Sequence, residues 1–136
     1  MFRKLELALL LAGFTQLAIA ASSLMIPRML AWREETAKLK PLTRQVFWTY
    51  AVYIWTTNVA FGLLSLLSPK SLLDGSFLAR AVCGFIALYW LGRVAVQFFV
   101  FDRSITVQPL FRVAEGLYLA AFVYLGIAYT IATAIQ

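Results

Sequence analysis

The chain has 136 residues, of which 62% are hydrophobic and only 13% charged, with a net charge of +6 and a mean hydropathy of +0.83. Soluble domains are about half apolar and about a quarter charged, so this composition excludes a disordered chain, a coiled coil and an ordinary soluble globule. Its roughly 84 apolar residues match four membrane-crossing helices of about 21 residues each.

The first span is expected over about residues 5–26, LELALLLAGFTQLAIAASSLMI, ended by Pro27 and Arg28. Met1 to Lys4 before an apolar run, with Ala18, Ala20 and Ala21 late in it, has the outline of a cleavable signal. The run is long for that role, so a retained helix is expected. A linker from Pro27 to Gln45 carries Arg28, Arg33, Glu34, Glu35, Lys38, Lys40 and Arg44. Met29, Trp32 and Thr36 fall near one side of a helix, which predicts a short amphipathic helix lying on the membrane surface and closed by Pro41.

The second span is expected over about 46–67, with Trp48 and Tyr50 as an aromatic belt at the bilayer boundary. Ser68-Pro69-Lys70 ends it, and Asp74-Gly75-Ser76 is a turn. The third span covers about 77–101, with Asp102-Arg103-Ser104 at its exit, and the fourth about 110–135, after Pro109. Connections this short make consecutive helices antiparallel neighbours. The predicted fold class is therefore all-α: a single integral membrane domain, an antiparallel up-down four-helix bundle with short loops and an amphipathic linker after the first helix.

Basic residues orient such a bundle. Arg28, Arg33, Lys38, Lys40, Arg44, Arg103 and Arg112 lie on the side of the first and third connections; Arg3, Lys4, Lys70 and Arg80 lie opposite. The balance predicts a cytoplasmic first linker and both termini outside, in a bacterial inner membrane, with Arg3 and Lys4 pulling the other way. Arg28, Arg33, Lys38, Lys40, Arg44 and Arg103 are the expected contacts with anionic lipid heads, and nucleic acid is not an expected partner.

The sequence has no histidine, which excludes haem b or zinc by His ligation and His-based acid–base catalysis. Cys83 is the only cysteine, so neither an internal disulfide nor a cysteine cluster can form. No glycine-rich phosphate loop is present, and no cofactor is predicted.

Polar residues inside the spans are costly and usually turn inward. Arg93 lies about 12 Å from the end of the third span and Glu115 about 8 Å into the fourth from the same side, which predicts an Arg93–Glu115 pair. Tyr89, Arg93 and Gln97 share one helix face; Arg112, Glu115 and Tyr118 share another. Asn58, Gln16 and Tyr53 fall at depths of about 18, 15 and 10 Å. These depths predict one intramembrane cluster: Arg93, Glu115, Tyr118, Tyr89, Gln97, Asn58, Gln16 and Tyr53. It would either hold the helices together or form a pocket for a lipid head, a quinone-like ring or an anionic group. A proton or ion path would need Glu115 to change charge, which a pairing arginine opposes. The N–H groups of Trp55 and Trp90 lie deep enough to need partners. Ala12, Gly13, Gly84, Gly92, Gly116 and Gly126 permit close helix approach.

The stretches PLTRQVFWTYAVYIW and RAVCGFIALYWLGRVAVQFFVFDRS resemble a group of uncharacterised small bacterial four-span membrane proteins. The resemblance covers about residues 27–103 and implies topology only. The FFVF-like end of the third span and the general layout are similar to the four-span scaffold protein of sterol synthesis, a similarity that transfers no functional residues. With so little of the chain outside the spans, the expected role is a non-enzymatic accessory or scaffold subunit that packs with partner membrane proteins or with itself. The alternatives are a binder or processor of a lipid-soluble small molecule and a small oligomeric transporter or channel.

Overall fold

The computed structural model describes residues 2–99 and 109–136. Among these residues all regular structure is helical: α1 (Phe2–Ser23), α2 (Ile26–Met29), α3 (Trp32–Thr36), α4 (Pro41–Leu67), a 3-10 turn (Ser71–Leu73), α5 (Phe77–Phe99) and α6 (Pro109–Ile135). Four of these helices are long and apolar enough to cross a membrane.

The prolines act as helix starts more than as stops. Pro27, expected to end the first span, lies in the first turn of α2, where its missing N–H leaves no bond unmade. Pro41, expected to close the linker helix, instead opens α4, so this helix begins ahead of the predicted boundary at residue 46. α1 stops at Ser23, short of the expected residue 26. There the Ser22 and Ser23 hydroxyls donate back to the Ile19 and Ala20 carbonyls at 3.1 and 2.8 Å, which diverts acceptors from the helix. α5 ends at Phe99 within the described residues. The predicted end of that span at residue 101, and Asp102 and Arg103 beyond it, lie outside them.

The linker departs from the single amphipathic helix predicted for it. Ala31 adopts a left-handed conformation, φ 52° and ψ 48°, and divides it into α2 and α3. The break folds the linker back on the start of α4. Trp32 packs edge-on against Phe47 at 5.0 Å and Trp48 at 5.9 Å between ring centroids. Thr36 is buried: its hydroxyl donates to the Trp32 carbonyl at 2.6 Å and accepts the Trp48 indole N–H at 3.2 Å. Met29 is exposed, so Met29, Trp32 and Thr36 do not form the common apolar face expected of them.

α1 packs chiefly with α4, and α5 with α6, while contacts between α1 and α6 join the two pairs. Glycine sets the α1–α4 spacing. A Cβ on Gly13 would sit 2.8 Å from Leu66 Cγ and 2.9 Å from the Gly62 carbonyl oxygen, so no side chain fits between the two backbones. Gly126 instead leaves room for the Leu91 side chain, whose Cδ2 would lie 2.6 Å from an added Cβ. Gly92 and Gly116, also expected to permit close approach, face open space among the described residues.

The buried positions run at alternating spacings of three and four. Leu5, Leu9, Ala12, Gln16 and Ile19 form the seam of α1; Ala79, Cys83, Ile86 and Trp90 that of α5; Phe122, Leu125, Tyr129 and Ala132 that of α6. This period keeps one helical face against its neighbours. Leu7, Leu11, Phe14, Phe85, Leu88 and Leu117 face outward. The arrangement reverses that of a soluble protein, because large apolar side chains cover the outside while Gln16 and Ser65 are sealed within.

Candidate functional site

The side chain at the centre of the bundle is Gln16, 0% exposed. Its Nε2 donates to Tyr129 Oη at 2.7 Å and to the Ala12 carbonyl at 3.2 Å, and its Oε1 accepts the Trp90 indole N–H at 3.0 Å. Tyr129 also shares a hydrogen bond with the buried hydroxyl of Ser65. The amide of α1 thereby connects α5 and α6 directly and α4 through Tyr129. Every member lies on the inward seam of its helix, which is why four separate segments converge. Among the described residues no buried side-chain nitrogen or oxygen lacks a partner, as a water-poor interior requires.

Around this hub, single hydrogen bonds join further helix pairs. Tyr89 Oη donates to Asn58 Oδ1 at 2.6 Å, linking α5 to α4. The Tyr118 and Ser22 hydroxyls meet at 2.5 Å, linking α6 to α1. Trp55 and Tyr124 donate to backbone carbonyls of α1, at Ala20 (2.9 Å) and Ala8 (2.8 Å). The deep indoles Trp55 and Trp90 thus both find acceptors.

Arg93 and Glu115 come to the same level but do not form the direct pair predicted for them. Gln97 stands between: Arg93 Nη1 donates to Gln97 Oε1 at 3.3 Å, and Gln97 Nε2 donates to Glu115 Oε1 at 2.8 Å. An amide can accept from a cation and donate to an anion at once, so it relays between charges that the helix spacing keeps apart. The guanidinium carbon also lies 4.9 Å from the centroid of the Phe122 ring. Phe122 stacks on Trp90 at 5.3 Å and on Tyr118 at 6.0 Å, so the cation rests at the edge of an aromatic column. All three relay residues are half-buried.

The eight residues expected in one cluster therefore separate. Gln16 belongs to the hub, Asn58 and Tyr89 form a pair, Arg93, Gln97 and Glu115 form the relay, and Tyr118 bonds Ser22. Tyr53 takes no part: it is 65% exposed on the outer face of α4. It precedes Asn58 by five residues, a rotation of about 140° around a helix, so its depth was consistent with the cluster and its face was not. Ser65 and Tyr129 are not among the expected residues, and the seam spacing is the signal that finds them.

At the linker end, two neighbouring clefts open beside Trp48. The larger, about 640 Å³, is lined by Arg33, Thr36, Arg44, Gln45, Trp48 and Thr49. The smaller, about 330 Å³, is lined by Pro27, Arg28, Arg33, Glu34 and Trp48. Of the other expected lipid-head contacts, Lys38 pairs with Glu35 at 3.5 Å with both side chains exposed, and Lys40 is exposed. Arg103 lies outside the described residues. At the opposite end the predicted Asp74-Gly75-Ser76 turn forms, with Gly75 at φ 78°. The Ser76 side chain, and its backbone N–H at 2.9 Å, hold the Asp74 carboxyl below its ordinary pKa. Ser76 Oγ in turn accepts the Ala79 N–H at 3.1 Å and caps the start of α5.

Compared with known proteins, the chain stands apart: no family model, no curated protein sequence and no solved structure matches it.

Proposed function

We propose that the chain is an integral membrane protein of four antiparallel spans that packs with partner membrane proteins, or with copies of itself, as an accessory or scaffold subunit. The antiparallel course is supported by the contacts of α1 with α4, where Gly13 meets Gly62 and Leu66 while Ala20 meets Trp55. It is supported equally by α5 and α6, where Leu91 meets Gly126 and Gln97 meets Glu115. The basic linker lies on the cytoplasmic face of a bacterial inner membrane, following the bias of Lys and Arg.

The observation that carries the role is the direction of the side chains. The most deeply buried polar groups, Gln16, Trp90, Tyr129 and Ser65, bond one another, which serves internal cohesion. The outward faces present Leu, Ile and Phe, a surface that lipid tails or the helices of a partner chain can cover equally well. Purification in a mild detergent, followed by native mass spectrometry, tests the role. A stoichiometric partner chain or a defined self-oligomer is the expected result; a monomer at every detergent concentration would overturn it.

A second reading is favoured by the Arg93 relay. A half-buried guanidinium beside an aromatic column is suited to a lipid-soluble ligand carrying an acidic or carbonyl group, such as a lipid or a quinone-like ring. In that case a small molecule accompanies the purified chain and is lost in Arg93→Ala while assembly is retained. A scaffold shows the opposite pattern, with assembly altered.

A further inference from the structure

We propose that the paired clefts beside Trp48 form a binding site for the phosphate diester of an anionic phospholipid, held by Arg33 and Arg44 with Arg28 at the margin. The inference rests on the membrane reading above and assigns a ligand class to one place on the molecule.

Arg33 and Trp48 line both clefts, so the two openings meet along one wall. The fold creates that wall through the left-handed turn at Ala31, which brings α3 back against the first turns of α4. The Trp48 indole N–H and the Thr36 hydroxyl are occupied with each other and with the Trp32 carbonyl, and the Thr49 hydroxyl donates to Gln45 O at 2.8 Å. These bonds stiffen the floor of the cleft. The guanidinium groups are its available charged donors: among the described residues Arg28, Arg33 and Arg44 make no side-chain hydrogen bond or ion pair. Two unpaired planar forks, Arg33 and Arg44, line the larger cleft, and Arg28 joins Arg33 in the smaller; paired forks of this kind match the oxygens of a phosphate. Glu34 lines the smaller opening and opposes an anion there, leaving the larger one, with Arg33 and Arg44, as the stronger half.

The surroundings select a lipid over free phosphate. Met25, Met29, Leu30, Leu42 and Val46 are exposed on the segments that bear these arginines. Trp32, Phe47 and Trp48 form an aromatic cluster of the kind that sits at the headgroup level. An anion with acyl chains uses both features, whereas an inorganic ion uses only the first.

The test takes the full chain, purified in detergent, into nanodiscs holding equal dioleoyl phosphatidylglycerol and dioleoyl phosphatidylcholine, with retained lipid counted by native mass spectrometry after release. The wild-type chain retains phosphatidylglycerol in preference. Arg33→Gln with Arg44→Gln lowers that retention about 25-fold, from about fivefold for each basic group near an anionic head. Glu34→Gln raises retention, and Lys70→Gln at the opposite end leaves it unchanged. Equal retention of the two lipids by the wild-type chain overturns the proposal, as does unchanged retention in a double variant of wild-type helicity. If the double variant does not fold, the wild-type preference and the Glu34→Gln change decide. Displacement of the lipid by millimolar inorganic phosphate would identify a free-phosphate site and overturn the lipid assignment. A chain that remains soluble without detergent would remove the membrane reading itself; one that needs detergent yet ignores headgroup charge removes this site alone.

Discussion

Gln16 and Arg93 are both polar side chains placed inside long apolar helices, and they end in different surroundings. Gln16 is sealed at the centre, where its amide meets Trp90 and Tyr129. Arg93 remains half-buried, with Gln97 beside it and the face of Phe122 beneath it. A neutral amide has donors and an acceptor in balance, so a few neighbours satisfy it completely. A guanidinium carries five donors and a full charge, and sealing it without close compensation costs several kcal/mol. The fold therefore places the neutral group where all four long helices meet and keeps the charged group toward the margin. In this chain, depth along a helix and enclosure by the bundle are separate properties.

That contrast can be broken by substitution. Gln16→Leu should have the largest effect, a loss of about 3 kcal/mol, because it leaves the buried Trp90 N–H without its acceptor and removes a donor from Tyr129. Unfolding in mixed detergent micelles measures it; a loss below about 0.6 kcal/mol, the average for a membrane hydrogen bond, would show the hub to be ordinary. Gly13→Ala should follow at about 2 kcal/mol, since the added Cβ meets backbone at Gly62 and the α1–α4 pair must separate. The same titration reports it, and the loss should add to that of Gly126→Ala if the two helix pairs yield independently.

Arg93→Ala should be milder, about 1 kcal/mol, because the group is partly open to its surroundings. A loss of 3–5 kcal/mol, the range for breaking a fully buried charge pair, would mean that the relay is as enclosed as the hub. The smallest effect belongs to the far turn. Asp74 has its pKa lowered in the folded chain, so its contribution is complete above the ordinary value of 3.8 and fades as pH falls through the depressed folded value. Wild type and Asp74→Asn should differ slightly near neutral pH and converge in acid well below 3.8, as read from the pH dependence of unfolding.

The long helices were legible from hydropathy because nothing in this composition competes with it: each is a long apolar run, with proline opening α4 and α6 and serine at the ends of α1 and α4. The linker was less legible. Its pattern suggested one amphipathic helix, and no sequence rule places a left-handed alanine at position 31; the aromatic packing of Trp32 on Phe47 and Trp48 supplies the compensation, and it is tertiary. In the interior, depth brought Arg93 and Glu115 to one level but missed the mediating role of Gln97. For α1, α4 and the later part of α6, rotation along the seam decides which polar groups are enclosed. Carried forward from Leu9 and Ala12, the alternating step of three and four reaches Gln16; carried from Phe122 and Leu125 it reaches Tyr129, and from Asn58 and Gly62 it reaches Ser65. Tyr53 falls off that line.

The reach of the Gln16 amide has a consequence for biogenesis. Its two distant partners, Trp90 and Tyr129, lie 74 and 113 residues further along the chain. A ribosome delivers α1 long before either of them, so in the nascent first helix the amide has only the Ala12 carbonyl of its own helix to bond, and its oxygen waits for Trp90. On the membrane reading proposed above, such a helix gains from lingering in the hydrated insertion channel until its late-synthesised counterparts emerge.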